Sequence, residues 1–359
     1  MICQFKKMDW VLIGSIILLA IVGLISIYSS SQGDFFNFKK QIVFFIIGFS
    51  LMLFFSSFDY KILKENPYLI LFFYLLGLLL LFGLFFFAPE IRGTRSWYKL
   101  GFFSFNPVEF TKIAIIILLA KYFSMRHTEM YRFRHIIFSG FYLLIPCALV
   151  FFQPDIGSVL VLIAIWVAIL FISGINLRNF LVLSLIFILL FGVFWSFLLK
   201  DYQKERVMSF LLPNAQPLGS NWSQNQARIA IGSGGFLGQG LLNGSQTQYR
   251  FLVEPQTDFI FASIAEETGL IGVIFLLTLY GILFWRIFKL AFNSRSNFPR
   301  LISIGFLAFL ASHLLINIGM NLGLMPVVGI PLPVVSYGGS GLISVFIGIG
   351  ILQSIKIHQ

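Results

Sequence analysis

Apolar residues in this chain come in long unbroken runs rather than in stripes. Ten such runs recur along it, roughly 9–30, 41–58, 67–88, 105–123, 135–152, 156–174, 177–199, 269–292, 299–325 and 333–355. A helix rises about 1.5 Å per residue, so about 20 apolar residues cross a hydrocarbon layer about 30 Å thick. Inside that layer every backbone N–H and C=O must find a partner within the protein, which leaves helices or a closed barrel. A barrel would show alternating segments about ten residues long, and the chain shows none. The pattern predicts an all-α integral membrane protein of about ten transmembrane helices, one polytopic unit over residues 1–359.

One stretch interrupts the series. Residues 200 to 268, between spans 7 and 8, are too long for an ordinary connection. They are also too apolar for disorder, with Trp222, Ile229, Ile231, Phe236, Leu237, Leu241, Leu242, Tyr249, Phe251 and Leu252 among them. This loop is expected to be structured and to fold back onto the bundle.

Composition agrees with a membrane protein. Of 359 residues, 58% are apolar and only 11% charged, with a mean hydropathy of +0.92; soluble domains carry about 25% charged residues. The net charge of +11 therefore reads as topology and attraction to anionic lipid, not as nucleic-acid binding. With the N-terminus inside, fourteen of the 25 Lys and Arg residues fall on the inner side. Six lie in short outer loops (Lys39, Lys40, Arg92, Arg95, Lys99 and Lys112), and five in the long loop, where the rule does not count. Both termini are expected to be cytoplasmic and the long loop extracytoplasmic. The start, FKKMDW, leads into about twenty apolar residues, longer than the 7–15 of a cleavable signal. It reads as a retained first span, with Ser29, Ser30 and Ser31 as loop. Cys3 and Cys147 have no spacing partner, so neither a disulfide nor a metal site is expected from them.

Four motifs carry possible chemistry, and each also has a plainer reading. GSGGFLGQG (232–240) lacks the Lys-Ser/Thr of a P-loop and follows no strand, so it is not read as a nucleotide site. Its glycines suit tight turns, or backbone donors to a ligand. In TRSWYKLGFFSFNPVEFTK (94–112), Pro107 suits a first helical turn, and Glu109 and Lys112, three apart, share a face. Charges at the membrane edge face the protein interior, as a structural pair or a working one. In QPDIGS (153–158), Asp155 suits a helix cap. In PLPVVSYGGSG (331–341), Gly338 and Gly339 permit close helix approach, or their amides face a ligand together with Ser336 and Ser340.

The acids concentrate in EPQTDFIFASIAEETGLIG (254–272). Pro255 and Thr257 read as a helix start with Asp258 in its first turn. The segment DFIFASIAEET is expected as a short interfacial helix, separate from a span beginning at Gly269, with Glu266 and Glu267 near water. Asp258 lies four residues after Glu254 and opens an apolar face of Phe259, Ile260 and Phe261. Partial desolvation there favours base strength. The alternative is an acid stabilising the positive end of a helix dipole.

These residues also carry a resemblance. NQARIAIGSGGFLGQGLLNGSQTQYRFLVEPQTDFIFASIAEETGLIG (225–272) resembles the long loop of the SEDS family (shape, elongation, division and sporulation). NPVEFTK, QPDIGS and NIGMNLGLMPVVGIPLPVVSYGGSG (317–341) resemble three further signatures of that family, in order. The GSQTQ and PVVGIPLPVVSYGGSG versions look like the elongation (RodA) branch rather than the division (FtsW) branch. Where many members read Gln-Pro-Ser-Glu this chain has Asn106-Pro107-Val108-Glu109, and Ser96 rather than Arg precedes Trp97.

The resemblance implies a peptidoglycan glycosyltransferase that polymerises lipid II outside the bacterial cytoplasmic membrane. It would work beside a class B penicillin-binding protein that crosslinks the nascent glycan strand, and with other membrane proteins of the elongation complex. Asp258 matches the family's essential acid, with Glu254 and Thr257 beside it. Glu109 and Lys112 match the acid and base of the fourth span. The transfer is expected to invert the anomeric centre and release undecaprenyl diphosphate. Asp258 would act as general base or as ligand to Mg2+ or another divalent cation, with no nucleotide involved. Lys112, Arg95 and Lys99 would offer positive charge; Trp97, Asp155, Ser336, Gly338, Gly339 and Ser340 complete the supporting set. A lipid II flippase and a non-enzymatic scaffold for the crosslinking partner are the rival readings.

Overall fold

The computed structural model describes residues 7–90, 94–101, 103–126, 133–176, 178–183, 185, 192 and 221–358. Its helices are α1 (Trp10–Ser29), α2 (Phe36–Ser57), the short α3 (Lys61–Glu65), α4 (Pro67–Phe87), α5 (Pro107–Met125), α6 (Phe133–Phe152) and α7 (Ile156–Ile172). After the long connection come α8 (Trp222–Gly234), α9 (Ser245–Gln248), α10 (Ile260–Phe292), α11 (Asn297–Leu322) and α12 (Gly339–His358). A small antiparallel hairpin, β1 (Tyr98–Leu100) and β2 (Phe103–Phe105), pairs Lys99 with Ser104 between α4 and α5.

Seven of the described helices are long and apolar enough to cross a membrane. Two more predicted spans also form. α5 holds Glu109, Lys112 and Lys121 among its apolar residues, and α7 is somewhat shorter than the rest at 17 residues. The predicted span 177–199 lies mostly outside the described residues, as does Cys3; Cys147 is unpaired. The all-α membrane fold is as expected.

Local chemistry sets the helix starts. Asp9 caps α1 by accepting from the Leu12 amide, Asn106 caps α5 by accepting from Val108, and Asp155 caps α7 through Ser158. Pro67 and Pro107 occupy first turns, where a missing N–H costs nothing.

α11 and α12 form the centre; 67% and 78% of their apolar windows are buried. α11 packs on α5, α7 and α10, and α12 packs on α2. By contrast only 22% of the α2 window and 28% of the α4 window are buried. Their outward Phe54, Phe72, Phe82 and Phe86 are open, as lipid-facing side chains should be.

Two ends of the bundle are stapled differently. At one end the Arg286 guanidinium grips Asp9, with Nη2 2.6 Å and Nε 2.9 Å from Oδ2. Gln353 there exchanges hydrogen bonds with the backbone N–H and C=O of Asp9, at 2.9 and 3.1 Å. At the other end the long loop folds back, as expected: α8 packs on α10.

The acid-rich segment matches its prediction in one respect, a short helix set off from the following span at Gly269, and departs from it in another, the placement of its acids. Within α10 the backbone leaves helical geometry at Gly269 (φ 65°, ψ −164°), so a short helix from Ile260 precedes a separate membrane-length helix. The two acids of the first part are not near water. Glu266 is 0% exposed and Glu267 2%. Burial is possible because the loop brings them donors. Glu266 accepts from the amides of Gln246 (2.6 Å) and Thr247 (3.1 Å) and from the Thr247 hydroxyl (2.7 Å). Ser29, at the end of α1, donates to Glu267 at 2.5 Å. Both acids thus act as anchors for the loop.

Gly269 is required by geometry. A Cβ there would lie 2.4 Å from the Gly238 nitrogen and 2.6 Å from the Phe236 carbonyl oxygen, and its φ is disfavoured for any L side chain. GSGGFLGQG is thereby a packing element, with Gln239 and Gly240 donating to the Glu266 and Glu267 carbonyls. Gly269→Ala is expected to cost about 1–3 kcal/mol and to expose the 235–250 loop. The check is thermal unfolding of the detergent-purified variant together with limited proteolysis. An unchanged midpoint and cleavage pattern would contradict it.

Candidate active site

Several of the predicted site residues lie around the segment between α11 and α12. Residues 327–338 run there without regular structure, against the Asp258 turn, His313 beside the α5 ion pair, and the cap turn of Asp155.

The first is Asp258. It does not sit in a helical first turn, because α10 begins two residues later, at Ile260. Residues 254–259 instead form tight turns, with Glu254 at φ 50°. The Glu254 carbonyl accepts from the amides of Thr257 and Phe259. This turn is held mostly by its backbone. Asn317 and Asn321 of α11 each donate to the Asp258 carbonyl at 3.0 Å. Ser336 donates to the Thr257 carbonyl at 2.6 Å, and the Tyr337 amide to the Gln256 carbonyl at 2.8 Å. The Asp258 side chain itself is half-buried. It lies beside Gly329, where an added Cβ would come 3.7 Å from Oδ2.

The second is the pair on α5. Lys112 Nζ donates to Glu109 Oε1 at 2.7 Å, and Lys112 is 0% exposed. The expected shared face is a true ion pair. The Glu109 oxygen Oε2 is buried and accepts no hydrogen bond from the described residues. Lys112 also meets His313 of α11, Nζ to Nε2 3.0 Å, and faces the Phe309 ring at 5.5 Å. The sequence reading missed His313. Its signal was present: His313, Asn317 and Asn321 recur every four residues, one polar stripe on an apolar span.

The third is Asp155. It performs the plainer of its roles, capping α7: Oδ1 accepts from the Ser158 amide at 3.0 Å and Oδ2 from its hydroxyl at 2.7 Å. Burial raises its carboxyl above the usual range, against the pull of those two bonds and of nearby Lys112. The cap turn abuts the central segment, since a Cβ at Gly157 would meet Ile330 and the Val328 carbonyl.

The remaining predicted residues divide. Ser336 is spent structurally, donating to Thr257 and accepting from the Leu332 amide at 2.8 Å. The Gly338 amide is spent too, on Gln41 Oε1 at 3.2 Å. Their expected role as free ligand donors is therefore not available. Gly339 does permit a close approach, to the Phe44 ring. The Ser340 hydroxyl is buried and accepts or donates no hydrogen bond within the described residues. Arg95 and Lys99 stand apart on the exposed hairpin region, Arg95 pairing with Glu90 at 3.3 Å; Trp97 beside them is half-buried.

Among the described residues, no group of three or more His, Cys, Asp or Glu converges tightly enough to hold a metal ion.

Fold and site together define a polytopic helical membrane protein with its polar chemistry collected at the loop end of the bundle. The cell cycle protein family of FtsW, RodA and SpoVE matches residues 5–359, and the chain belongs to that family. It is 35% identical to the peptidoglycan glycosyltransferase MrdB of Escherichia coli (strain K12), over 96% of this chain and 92% of that one. It is 32% identical to the peptidoglycan glycosyltransferase RodA of Treponema pallidum (strain Nichols), over 98% of each. Among solved structures it matches a chain from a peptidoglycan synthase complex described as coordinating polymerization and crosslinking. That match has TM-score 0.83, 30% identity and 97% coverage of both chains. The rod shape determining protein RodA of Thermus thermophilus matches at TM-score 0.72 and 28% identity, over 97% of this chain and 96% of that one.

The ion pair yields a stability test. Removing one partner of a buried pair typically costs about 3–5 kcal/mol, while replacing both with apolar groups is often near neutral. Lys112→Met is expected to lower the unfolding midpoint more than the double variant Glu109→Leu with Lys112→Met. Equal or greater loss in the double variant would show that the pair is not what matters there.

Proposed function

We infer that this chain polymerises lipid II: it is a peptidoglycan glycosyltransferase of the elongation type, in the bacterial cytoplasmic membrane. Both termini lie inside and the site faces outward. The observation that carries the reading is the Asp258 turn. Its carbonyls are tied down by Asn317, Asn321, Ser336 and Tyr337, so the carboxylate is presented by a rigid frame at the loop end of an apolar bundle.

That frame suits a substrate with two natures. A polyprenyl tail stays among lipid-facing helices while the sugars emerge at the end of the bundle. The acceptor's GlcNAc 4-hydroxyl loses its proton as its oxygen attacks the donor's anomeric carbon. The bond from that carbon to the diphosphate breaks, and undecaprenyl diphosphate leaves with the electron pair. An α-linked donor giving a β-linked product requires one inverting displacement. Asp258 takes the proton, a contribution of about 10²–10⁴-fold by the usual magnitude for general bases.

Positive charge must meet the departing diphosphate. Lys112 is enclosed between Glu109 and His313, so it contributes order rather than contact. Arg95 and Lys99 are exposed, and the Arg95–Glu90 pair is of the exposed kind worth about 0–1 kcal/mol, readily exchanged for a phosphate. A divalent cation fits only as a shared site: Asp258 would hold it together with diphosphate oxygens, as magnesium commonly binds, and it would supply charge to the leaving group. The glycan then passes to a crosslinking penicillin-binding protein, the class of partner we propose for this chain.

Incubating the purified protein and its class B partner with fluorescent lipid II and magnesium is expected to give glycan ladders on a gel. Asp258→Asn, folded to the same midpoint, is expected to give none. Ladders from Asp258→Asn would remove Asp258 as the base and turn attention to Glu109 and Glu254. With EDTA, loss of ladders that magnesium restores would support the shared cation; undiminished ladders would leave Asp258 as base alone.

A further inference from the structure

His313 sits where its protonation is fixed by its neighbours. A lysine ammonium has donors and no acceptor. Lys112 Nζ lies 3.0 Å from His313 Nε2, so Nε2 must present its lone pair. A neutral imidazole then carries its proton on Nδ1. Nδ1 lies 3.2 Å from the Pro331 carbonyl oxygen, which can only accept. Each contact therefore runs from a donor to an acceptor. The opposite tautomer would set N–H against ammonium and lone pair against carbonyl. An imidazolium would bring a second cation against Lys112 in a fully enclosed place.

The same face of α11 continues the pattern. One turn on, Asn317 donates to the Ile330 carbonyl at 2.8 Å and to the Asp258 carbonyl at 3.0 Å. A further turn on, Asn321 donates to the Asp258 carbonyl. His313, Asn317 and Asn321 thus hold three consecutive anchor points, the carbonyls of Pro331, Ile330 and Asp258. Only His313 also reaches the Glu109–Lys112 pair.

We propose that His313 is a positioning residue for glycan polymerisation: as the Nδ1–H tautomer it joins the buried Glu109–Lys112 pair to the 327–338 segment that frames Asp258. It touches no substrate. It acts through Lys112 on one side and through the Pro331 carbonyl on the other. The proposal rests on the polymerase reading above, and deepens it by adding a residue that none of the sequence motifs contained.

The test has two arms, both on the full-length protein in nanodiscs, with the class B partner present for kinetics. In the first, 15N-labelled imidazoles are observed at pH 7; the chain has four histidines, and His313→Leu identifies the resonance. The expected spectrum shows a protonated Nδ1 and a bare Nε2. In Lys112→Met the Nε2 resonance is expected to shift as its hydrogen-bond donor is lost, while the Pro331 carbonyl keeps the proton on Nδ1. A protonated Nε2 in the wild type, or a doubly protonated ring, overturns the proposal.

The second arm measures initial rates against lipid II concentration. His313→Leu is expected to lower kcat about 10- to 100-fold, the scale of a small misplacement of catalytic groups, with KM changed little. His313→Gln, which retains an acceptor for Lys112, is expected to recover part of that loss, and it serves if His313→Leu does not fold. Wild-type kcat in folded His313→Leu overturns the positioning role. If the wild type with its partner makes no glycan at all, the polymerase reading fails and the proposal falls with it. That result is distinct from a wild type and a His313→Leu that polymerise equally.

Discussion

A charge enclosed in a membrane bundle must be answered where it stands. Lys112 is answered twice, by Glu109 one turn back on its own helix and by His313 on the facing helix. Because water and lipid headgroups are out of reach, neither contact can be exchanged for solvent, and the two helices must keep their register to keep the charge satisfied. This one requirement fixes α5 against α11, and α11 in turn carries the asparagines that hold the turn of Asp258. The apolar packing of the bundle permits many small slides of helix on helix; the polar contacts select among them.

The loop end extends the same logic to irregular backbone. Non-helical chain at membrane depth needs partners for each N–H and C=O. Here two irregular segments, 254–259 and 327–338, supply partners for one another and take others from α11, from Gln41 of α2 and from Tyr280 of α10. Glu266 solves the corresponding problem for residues 246–247 by placing its carboxylate under amides and a hydroxyl, while Glu267 accepts from Ser29, whose oxygen accepts the Leu242 amide. The result is a site built on rigid backbone although little of it is helix or strand. Rigid support is what positioned catalytic groups in general demand of a protein.

The spans were legible because lipid imposes a simple rule on sequence. Even α5, with two charges near its start, kept enough apolar residues to be read, and the three-residue spacing of Glu109 and Lys112 foretold their pairing. Asp155 was legible as a cap because capping is local. What escaped the sequence is long-range. Glu266 and Glu267 look like surface acids until residues 245–247, about twenty positions away, are folded over them. Ser336 and Gly338 look like free donors until Thr257 and Gln41 are found to consume them. His313 reads as a single polar residue in an apolar run, and only its four-residue rhythm with Asn317 and Asn321 set it apart. Local chemistry was readable, while the partner of each buried group was not.

The staple at the opposite end has a bearing on how the chain is made. Asp9 opens the first helix, but its guanidinium partner, Arg286, lies 277 residues later, and Gln353 lies 344 residues later. At about 5–20 residues per second, the first span waits some tens of seconds in the bilayer before its acid meets a cation. During that interval the carboxylate must stay at the aqueous edge, which pins the first helix at a fixed depth while the others are threaded. Arrival of the tenth and twelfth helices then draws the beginning of the chain in beside its end. Closure of the bundle is thus a late event in biogenesis, and a ribosome stalled before residue 286 would leave the first helix still waiting for its counterion.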